Sequence, residues 1–366
     1  MSGLRVIISG GGTGGHIFPA IAIANTIKKR RPDAQILFVG ADGRMEMEKV
    51  PQAGYEIKGL NIAGFQRGSI LKNLTLPFKI IGSLLSAYSI VKEFKPVLAV
   101  GVGGYASGPL LRAAAFVGVP IVIQEQNSFA GITNKLLAKN AKVICTAYEG
   151  MEKVFPKDKI VLTGNPVRAE ITKMNVDQNE AKKYFGLDAN KKAILILGGS
   201  LGARTLNQSV IAVLERIRTS GVQILWQTGK LYFEDCNKAA NGIANLKALQ
   251  FIDRMDYAYG SADVIISRAG ALSISELQLV GKPVILVPSP NVTEDHQTYN
   301  AMALVQKNAA LMIKDDEAKV NLIGMAFDLL QDEAKQRLLS QNIRQMAIPD
   351  AADRIVDEIL KVVQEK

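Results

Sequence analysis

Short runs of apolar residues recur along the whole chain, separated by segments with helical spacing. In the first half they are Val6–Ser9, Ile36–Val39, Tyr55–Leu60, Val97–Val100, Ile121–Gln124 and Val143–Cys145. In the second half they are Ala193–Leu197, Gln223–Trp226, Leu246–Phe251, Val264–Ser267, Val284–Val287 and Ala310–Ile313. Uninterrupted Val/Ile/Leu blocks of this kind predict parallel strands covered on both faces, since half-exposed strands alternate apolar with polar residues. Pro19–Lys29 predicts a helix with proline near its start and lysines at its end, and Leu74–Phe94 predicts another. The stretch Ala169–Asn190 is more polar and separates the two series, which places a domain boundary near Arg168. After Ile313 only helical pattern remains, and Pro349 interrupts it before an amphipathic helix, Asp350–Val363. The pattern therefore predicts an α/β protein of two Rossmann-like domains, 1–168 and 169–349, with the C-terminal helix 350–366 packed back on the first. A chain of 366 residues exceeds what one core usually supports, which agrees with two domains.

Two strand-to-helix junctions stand out. Gly10-Gly11-Gly12-Thr13-Gly14-Gly15-His16 follows the first apolar run, and Gly198-Gly199-Ser200-Leu201-Gly202-Ala203-Arg204 follows the first run of the second half. Glycines let the chain turn sharply and let bare N–H groups approach an anion. Two such loops predict two nucleotide-fold domains with their parallel sheets facing across a cleft. Further loops of unusual composition fall at strand ends, where parallel sheets bind ligands. They are Gly101–Tyr105, Glu125-Gln126-Asn127, Thr163–Arg168, Thr228-Gly229-Lys230, Arg268–Ser273 and Glu294–Gln297. Each alone reads as a structural turn; their clustering at one edge of two sheets argues for a site.

Composition narrows the chemistry. Lysine and arginine exceed aspartate and glutamate to give a net charge of +10, so nucleic acid, an acidic membrane surface and phosphorylated substrates all fit. Only 6% of residues are aromatic and no zinc spacing occurs, which argues against a nucleic-acid-binding module. Cys145 and Cys236 are far apart in sequence and predict buried, reduced thiols. The first strand starts too early to leave room for a signal peptide, and the longest uncharged apolar segment, Ile80–Val91, is far short of the roughly 20 residues a membrane span needs. A cytoplasmic protein is expected.

Gly10, Gly12 and Gly15 satisfy G-x-G-x-x-G, with Asp42 as a ribose acceptor, so a nicotinamide dehydrogenase is one reading. That reading gives no role to the second glycine loop or to Arg268–Ser273, and Asp42 falls late for the motif. No Gly-Lys-Ser/Thr closes either loop, so the Walker pattern does not apply. The chain's only two histidines, His16 and His296, both lie in these loops. His16 stands at a predicted helix N-terminus, whose partial positive charge disfavours the imidazolium, so it is a candidate general base beside the plainer reading of a packing histidine. No Asp-x-Asp occurs, so a leaving diphosphate would be met by backbone N–H groups, helix ends and cations instead of a metal.

Gly10–Ala20, Gly103–Pro109, Glu125-Gln126-Asn127, Gly164–Arg168, Gly198-Gly199-Ser200 and Ser267–Glu276 stand in an order and spacing that closely resemble the MurG family of bacterial transferases, over essentially the full length. The resemblance implies a GT-B fold and an inverting transfer needing no metal and no cofactor. N-acetylglucosamine would pass from UDP-N-acetylglucosamine to the 4-hydroxyl of undecaprenyl-pyrophosphoryl-N-acetylmuramoyl-pentapeptide, in peptidoglycan synthesis. It also implies residue roles. The donor sits mainly on the second domain, with Arg168 and Ile252 flanking the uracil and Glu276 accepting both ribose hydroxyls. Ser200 and the Ala271-Leu272-Ser273 turn hold the diphosphate, and Gln297 lies near the sugar. From the first domain, Thr13, Gly14 and Gly15 close over the diphosphate and Asn127 contacts the transferred sugar. His16 is the base, with Glu125 as its rival. Ser273 replaces a threonine common in the family and keeps the hydroxyl; Arg254 stands where an acidic residue is common and alters the charge near the base pocket.

A lipid-linked acceptor implies docking on the cytoplasmic face of the membrane, and protein partners in cell-wall synthesis fit the same expectation. Gly64–Lys95 interleaves apolar residues with Arg67, Lys72 and Lys79, which predicts a basic rim that meets anionic lipid. The rival within the fold is another GT-B enzyme using UDP-N-acetylglucosamine, a 2-epimerase or a small-molecule glycosyltransferase. It would not account for Gly103–Pro109 together with Gly164–Arg168.

Overall fold

The structure, a computed structural model, describes residues 3–62 and 76–365. Contacts divide the chain into two units, Met1–Val167 with Ile348–Lys366, and Arg168–Ala347. The first unit holds seven strands: β1 (Arg5–Gly10), β2 (Gln35–Ala41), β3 (Glu56–Leu60), β4 (Leu98–Gly103), β5 (Ile121–Glu125), β6 (Val143–Thr146) and β7 (Ile160–Leu162). They form one sheet in the order β3-β2-β1-β4-β5-β6-β7, with every neighbouring pair parallel. The second unit holds β8 (Ala193–Leu197), β9 (Gln223–Gln227), β10 (Leu246–Leu249), β11 (Val264–Ser267), β12 (Val284–Leu286) and β13 (Leu311–Met312). Their order is β10-β9-β8-β11-β12-β13, again all parallel. Both sheets are thus doubly wound, as the apolar blocks predict.

Each sheet buries apolar side chains under helices. In the first unit one face of the sheet packs Val6, Ile8, Leu98 and Val100 against Ile17, Ile23 and Ile27 of the helix Gly14–Arg30. The same core takes Ile355, Val356, Ile359 and Val362 from the C-terminal helix Ala351–Gln364, each buried side chain worth roughly 1.5–3 kcal/mol. Gly164 makes room for that return, because a Cβ there would lie 2.8 Å from Ile348. In the second unit Trp226 is fully buried, and its indole N–H donates to Asn207 Oδ1 at 2.9 Å.

Two elements depart from the sequence reading. The first helix starts at Gly14, before Pro19, because the loop glycines run directly into helical backbone. Pro19 then lies inside the helix, where it has no N–H to offer the carbonyl four residues earlier. Strand β7 is three residues long and too short to register as an apolar run. The helix predicted from Leu74 is described from Leu76 to Phe94.

Half-buried Lys282 anchors one helix that supports the site. Its Nζ donates to the carbonyls of Gly260 (2.7 Å) and Ala262, at the end of the helix Met255–Ser261. Burial lowers its pKa to about 8, the cations Lys182 and Arg344 push the same way, and Asp263 opposes them. Below pH 8 the ammonium is charged in both the folded and unfolded chain, and the folded state bears the cost of burying it. Between about 8 and the unfolded value near 10.4 the folded chain sheds this proton first, so the lysine's contribution to stability rises with pH. Urea unfolding of wild type and Lys282→Met should show the stability difference moving in favour of wild type by up to about 3 kcal/mol across that window. A pH-independent difference would refute the assignment.

Candidate active site

In each sheet the chain reverses its direction of winding at the first strand, and the loops beyond that switch point define a crevice. In the first unit the switch lies between β1 and β4, which brings Gly10–Thr13 against Gly103–Tyr105. The contact is backbone to backbone: Gly11 N–H donates to Gly103 O at 3.3 Å. A Cβ on Gly104, whose φ is +92°, would lie 2.5 Å from the Gly11 carbonyl oxygen. Ser107 ties the two loops together, its buried hydroxyl reaching the carbonyls of Gly103 (2.8 Å) and Ser9 (3.1 Å).

His16 lies in the first turn of the helix that follows, half-buried. Its Nδ1 is 3.0 Å from Gly11 O and 3.4 Å from Thr13 Oγ1. A carbonyl only accepts, so Nδ1 carries the proton and Nε2 is the basic nitrogen. The ring lies over Gly103, where a Cβ would come within 2.8 Å of Nε2. Thr13 is the N-cap, and Gly14 and Gly15 open the helix.

Glu125 is fully committed to backbone and amide donors. Oε1 accepts from Asn127 N (3.1 Å) and Asn127 Nδ2 (3.3 Å), and Oε2 accepts from Gly131 N (3.1 Å) and Asn134 Nδ2 (2.8 Å). A carboxylate with four donors holds its loop in place and orients Asn127. Beside it, Gln124 Nε2 donates to Asn165 Oδ1 (2.9 Å) and Asn165 Nδ2 to Gln126 O (3.0 Å), which joins the Glu125–Asn127 loop to Gly164–Val167.

The second unit has its switch between β8 and β11, and its glycine loop packs against the end of β9. Gly199 and Gly202 have φ of +79° and +91°, and a Cβ on Gly202 would lie 2.3 Å from Thr228 O. Ser200 is exposed on this loop, and its carbonyl accepts from Lys230 N at 3.0 Å. Beyond β11, Ala271-Leu272-Ser273 form the first turn of the helix Ala271–Val280, with Gly270 as N-cap and no side chain capping it. Its leading N–H groups and the helix dipole suit an anion.

Glu276 lies one turn further along, buried. Arg168 meets it in a bidentate pair, Nε to Oε1 at 2.8 Å and Nη2 to Oε2 at 2.9 Å, and the Tyr259 hydroxyl donates to Oε2 at 2.9 Å. Burial beside this carboxylate drives the Tyr259 phenol far above its ordinary pKa. Gln297 spans two strand-end loops, its Oε1 accepting from Ala269 N (3.2 Å) and Ser289 N (2.8 Å). Before it, Glu294 and Asp295 both have φ above +50°, a strained pair of the kind found at functional sites. Ile252 is buried, whereas Phe251 is half exposed. Arg254 pairs with Asp256 at 2.8 Å and lies over the Tyr257 ring.

Sequence reasoning missed the roles of Glu46, of Tyr259 and of the Arg268 side chain. Glu46 holds the first glycine loop through Gly12 N at 2.8 Å. Tyr259 supports Glu276, and Arg268 braces its own loop through Val287 O (3.0 Å) and Asp315 (2.5 Å). No local signal separates buried Glu46 from its exposed neighbour Glu48. Arg67 and Lys72 lie outside the described residues, and Lys79 is exposed. Among the described residues, no group of three or more His, Cys, Asp or Glu is placed to hold a metal ion.

Two doubly wound sheets with paired strand-end loops are the architecture of a nucleotide-dependent glycosyltransferase. The model of the glycosyltransferase family 28 N-terminal domain matches residues 6–146, and that of the C-terminal domain matches 193–355. A Flavobacterium psychrophilum protein is 56% identical over 364 residues, covering 100% of this chain and 99% of its own; a Parabacteroides distasonis protein is 57% identical with 99% of each covered. Both are named UDP-N-acetylglucosamine--N-acetylmuramyl-(pentapeptide) pyrophosphoryl-undecaprenol N-acetylglucosamine transferase. The crystal structure of Acinetobacter baumannii MurG superimposes with a TM-score of 0.81 at 31% identity, covering 98% of this chain and 99% of that one. The chain belongs to the MurG family.

Proposed function

We propose that this protein transfers N-acetylglucosamine from UDP-N-acetylglucosamine to the 4-hydroxyl of undecaprenyl-pyrophosphoryl-N-acetylmuramoyl-pentapeptide, with inversion at the sugar. The observation that carries the reading is identity above one half, end to end, with transferases named for that reaction. A UDP-N-acetylglucosamine 2-epimerase structure matches at a TM-score of 0.67 with 15% identity, which speaks for the shared fold alone.

In this reading the second unit holds the donor. Glu276 accepts from the ribose, Arg168 and the Ile252 backbone flank the uracil, and Gln297 faces the sugar. The diphosphate lies on the N–H groups of Ala271–Ser273 and the Ser200 loop. The first unit serves the acceptor: Nε2 of His16 takes the proton of the 4-hydroxyl as its oxygen bonds to the sugar C1. The bond from C1 to the β-phosphate oxygen breaks, and UDP leaves with the electron pair. A helix terminus supplies at most about 2 kcal/mol, against 8 kcal/mol or more for enzymatic acceleration. Orientation of the two substrates therefore supplies much of the rest.

Among the described residues no helix is long and apolar enough to cross a membrane. An acceptor held in lipid then calls for a docking face, on the cytoplasmic side of the membrane. The helices Leu76–Phe94, Ser107–Phe116 and Ile132–Leu137, which pack in sequence, carry exposed Ile81, Leu85, Phe116, Ile132 and Leu136. Exposed apolar side chains on one set of packed helices suit entry into a lipid interface, with Arg67, Lys72 and Lys79 meeting anionic headgroups at about 1 kcal/mol each. Reversing the three charges is expected to weaken binding to anionic liposomes by at least about two orders of magnitude at low salt, since losing the three attractions alone removes about 3 kcal/mol. Sedimentation with the vesicles measures it, and unchanged binding would remove the basic rim from the reading.

The transfer itself is tested with radiolabelled UDP-N-acetylglucosamine and the lipid-linked acceptor, with and without EDTA. Label in the lipid fraction despite the chelator is the expected result. UDP-sugar binding without transfer would redirect the assignment to the epimerase or to another acceptor.

A further inference from the structure

Glu46 is a carboxylate buried to 1% exposure at the start of the helix Glu46–Gln52, and its charge is met by backbone amides. Oε2 accepts from Gly12 N at 2.8 Å and Oε1 from Ala41 N at 3.0 Å. Two glycines exist around this side chain. A Cβ on Gly11 would lie 2.1 Å from Glu46 Oε1, and one on Gly40 would lie 2.5 Å from Glu46 Cγ.

The Gly12 N–H and the Gly11 carbonyl belong to one planar trans peptide, so they point in opposite directions. Glu46 holds the N–H end. The carbonyl end accepts from His16 Nδ1 at 3.0 Å. A carboxylate, a peptide and an imidazole therefore stand in one hydrogen-bonded chain. Negative charge on Glu46 polarises the peptide so that its oxygen becomes a stronger acceptor. That fixes the proton on Nδ1 and leaves Nε2 as the acceptor nitrogen. In a catalytic triad an aspartate does the same for histidine by direct contact.

We propose that Glu46 is a positioning residue for His16, acting through the Gly11–Gly12 peptide. The proposal rests on the reading of His16 as the general base. It also accounts for the first glycine loop differently from a phosphate cradle, because the Gly12 N–H that such a loop would offer is already held by Glu46.

The test combines histidine 15N NMR with kinetics on the full chain. With two histidines in the sequence, His296→Asn assigns the His16 signals directly. The neutral His16 ring of the parent should be protonated on Nδ1; a ring protonated on Nε2 overturns the proposal without any change at Glu46. Glu46→Gln keeps the shape but places an NH2 group against one of the two amides. It is expected to lose the single Nδ1–H tautomer and to lower kcat between about tenfold and a hundredfold, with KM for UDP-N-acetylglucosamine within about twofold. An unchanged tautomer, or a changed tautomer with unchanged kcat, overturns the proposal. Failure of the base reading is seen separately, as His16→Ala retaining kcat while the His16 tautomer still responds to Glu46→Gln.

Discussion

His16→Ala is expected to lower kcat for sugar transfer by about 10²–10⁴, the range spanned by general-base catalysis, while binding UDP-N-acetylglucosamine as the parent does. The split follows from where His16 lies. Its ring is fixed by the first unit's own loops, through Gly11 O and the bare backbone of Gly103. Calorimetry with the donor and a transfer assay at saturating substrates separate the two quantities. Loss of binding with kcat intact would move His16 from proton transfer to donor recognition. A kcat within about threefold of the parent would take the base role from His16 and pass it to the rival carboxylate, Glu125.

The fold was legible because its signal is redundant. Buried parallel strands need unbroken apolar blocks, and twelve such blocks repeated in two series, each opened by a glycine loop. The strand that escaped, Ile160–Leu162, lies at a sheet edge with half-buried residues and so has no long apolar run to show. The site was legible as loops and less so as contacts. Gly103 and Gly104 could be marked as a turn, but their reason lies in His16 and Gly11, about ninety positions earlier in the chain. The same holds for Glu46 and Tyr259. Each acts on a partner that the winding of a sheet brings near, and neither carries a local pattern that differs from an ordinary surface acid or core aromatic.

Glu276 shows how a contact unseen in the sequence changes what is expected of a predicted residue. A carboxylate offers about four acceptor positions, and Arg168 with Tyr259 already takes three of them. A ribose that brings two hydroxyl donors must therefore displace part of the Arg168 pair, and the guanidinium, half exposed, is the partner able to move. Donor affinity then measures the difference between two sets of bonds to one carboxylate. Hydrogen bonds to a charged group contribute about 1.5–3 kcal/mol each, so Glu276→Gln is expected to raise KM for UDP-N-acetylglucosamine about 10- to 150-fold. Removing the 2′-hydroxyl from the donor should cost a similar factor with the parent enzyme and less with Glu276→Gln, whose amide oxygen still accepts but carries no charge. If the deoxy donor loses as much with the variant as with the parent, the ribose is held elsewhere, and the Arg168–Glu276 pair serves only to tie the segment at Arg168 to the helix Ala271–Val280.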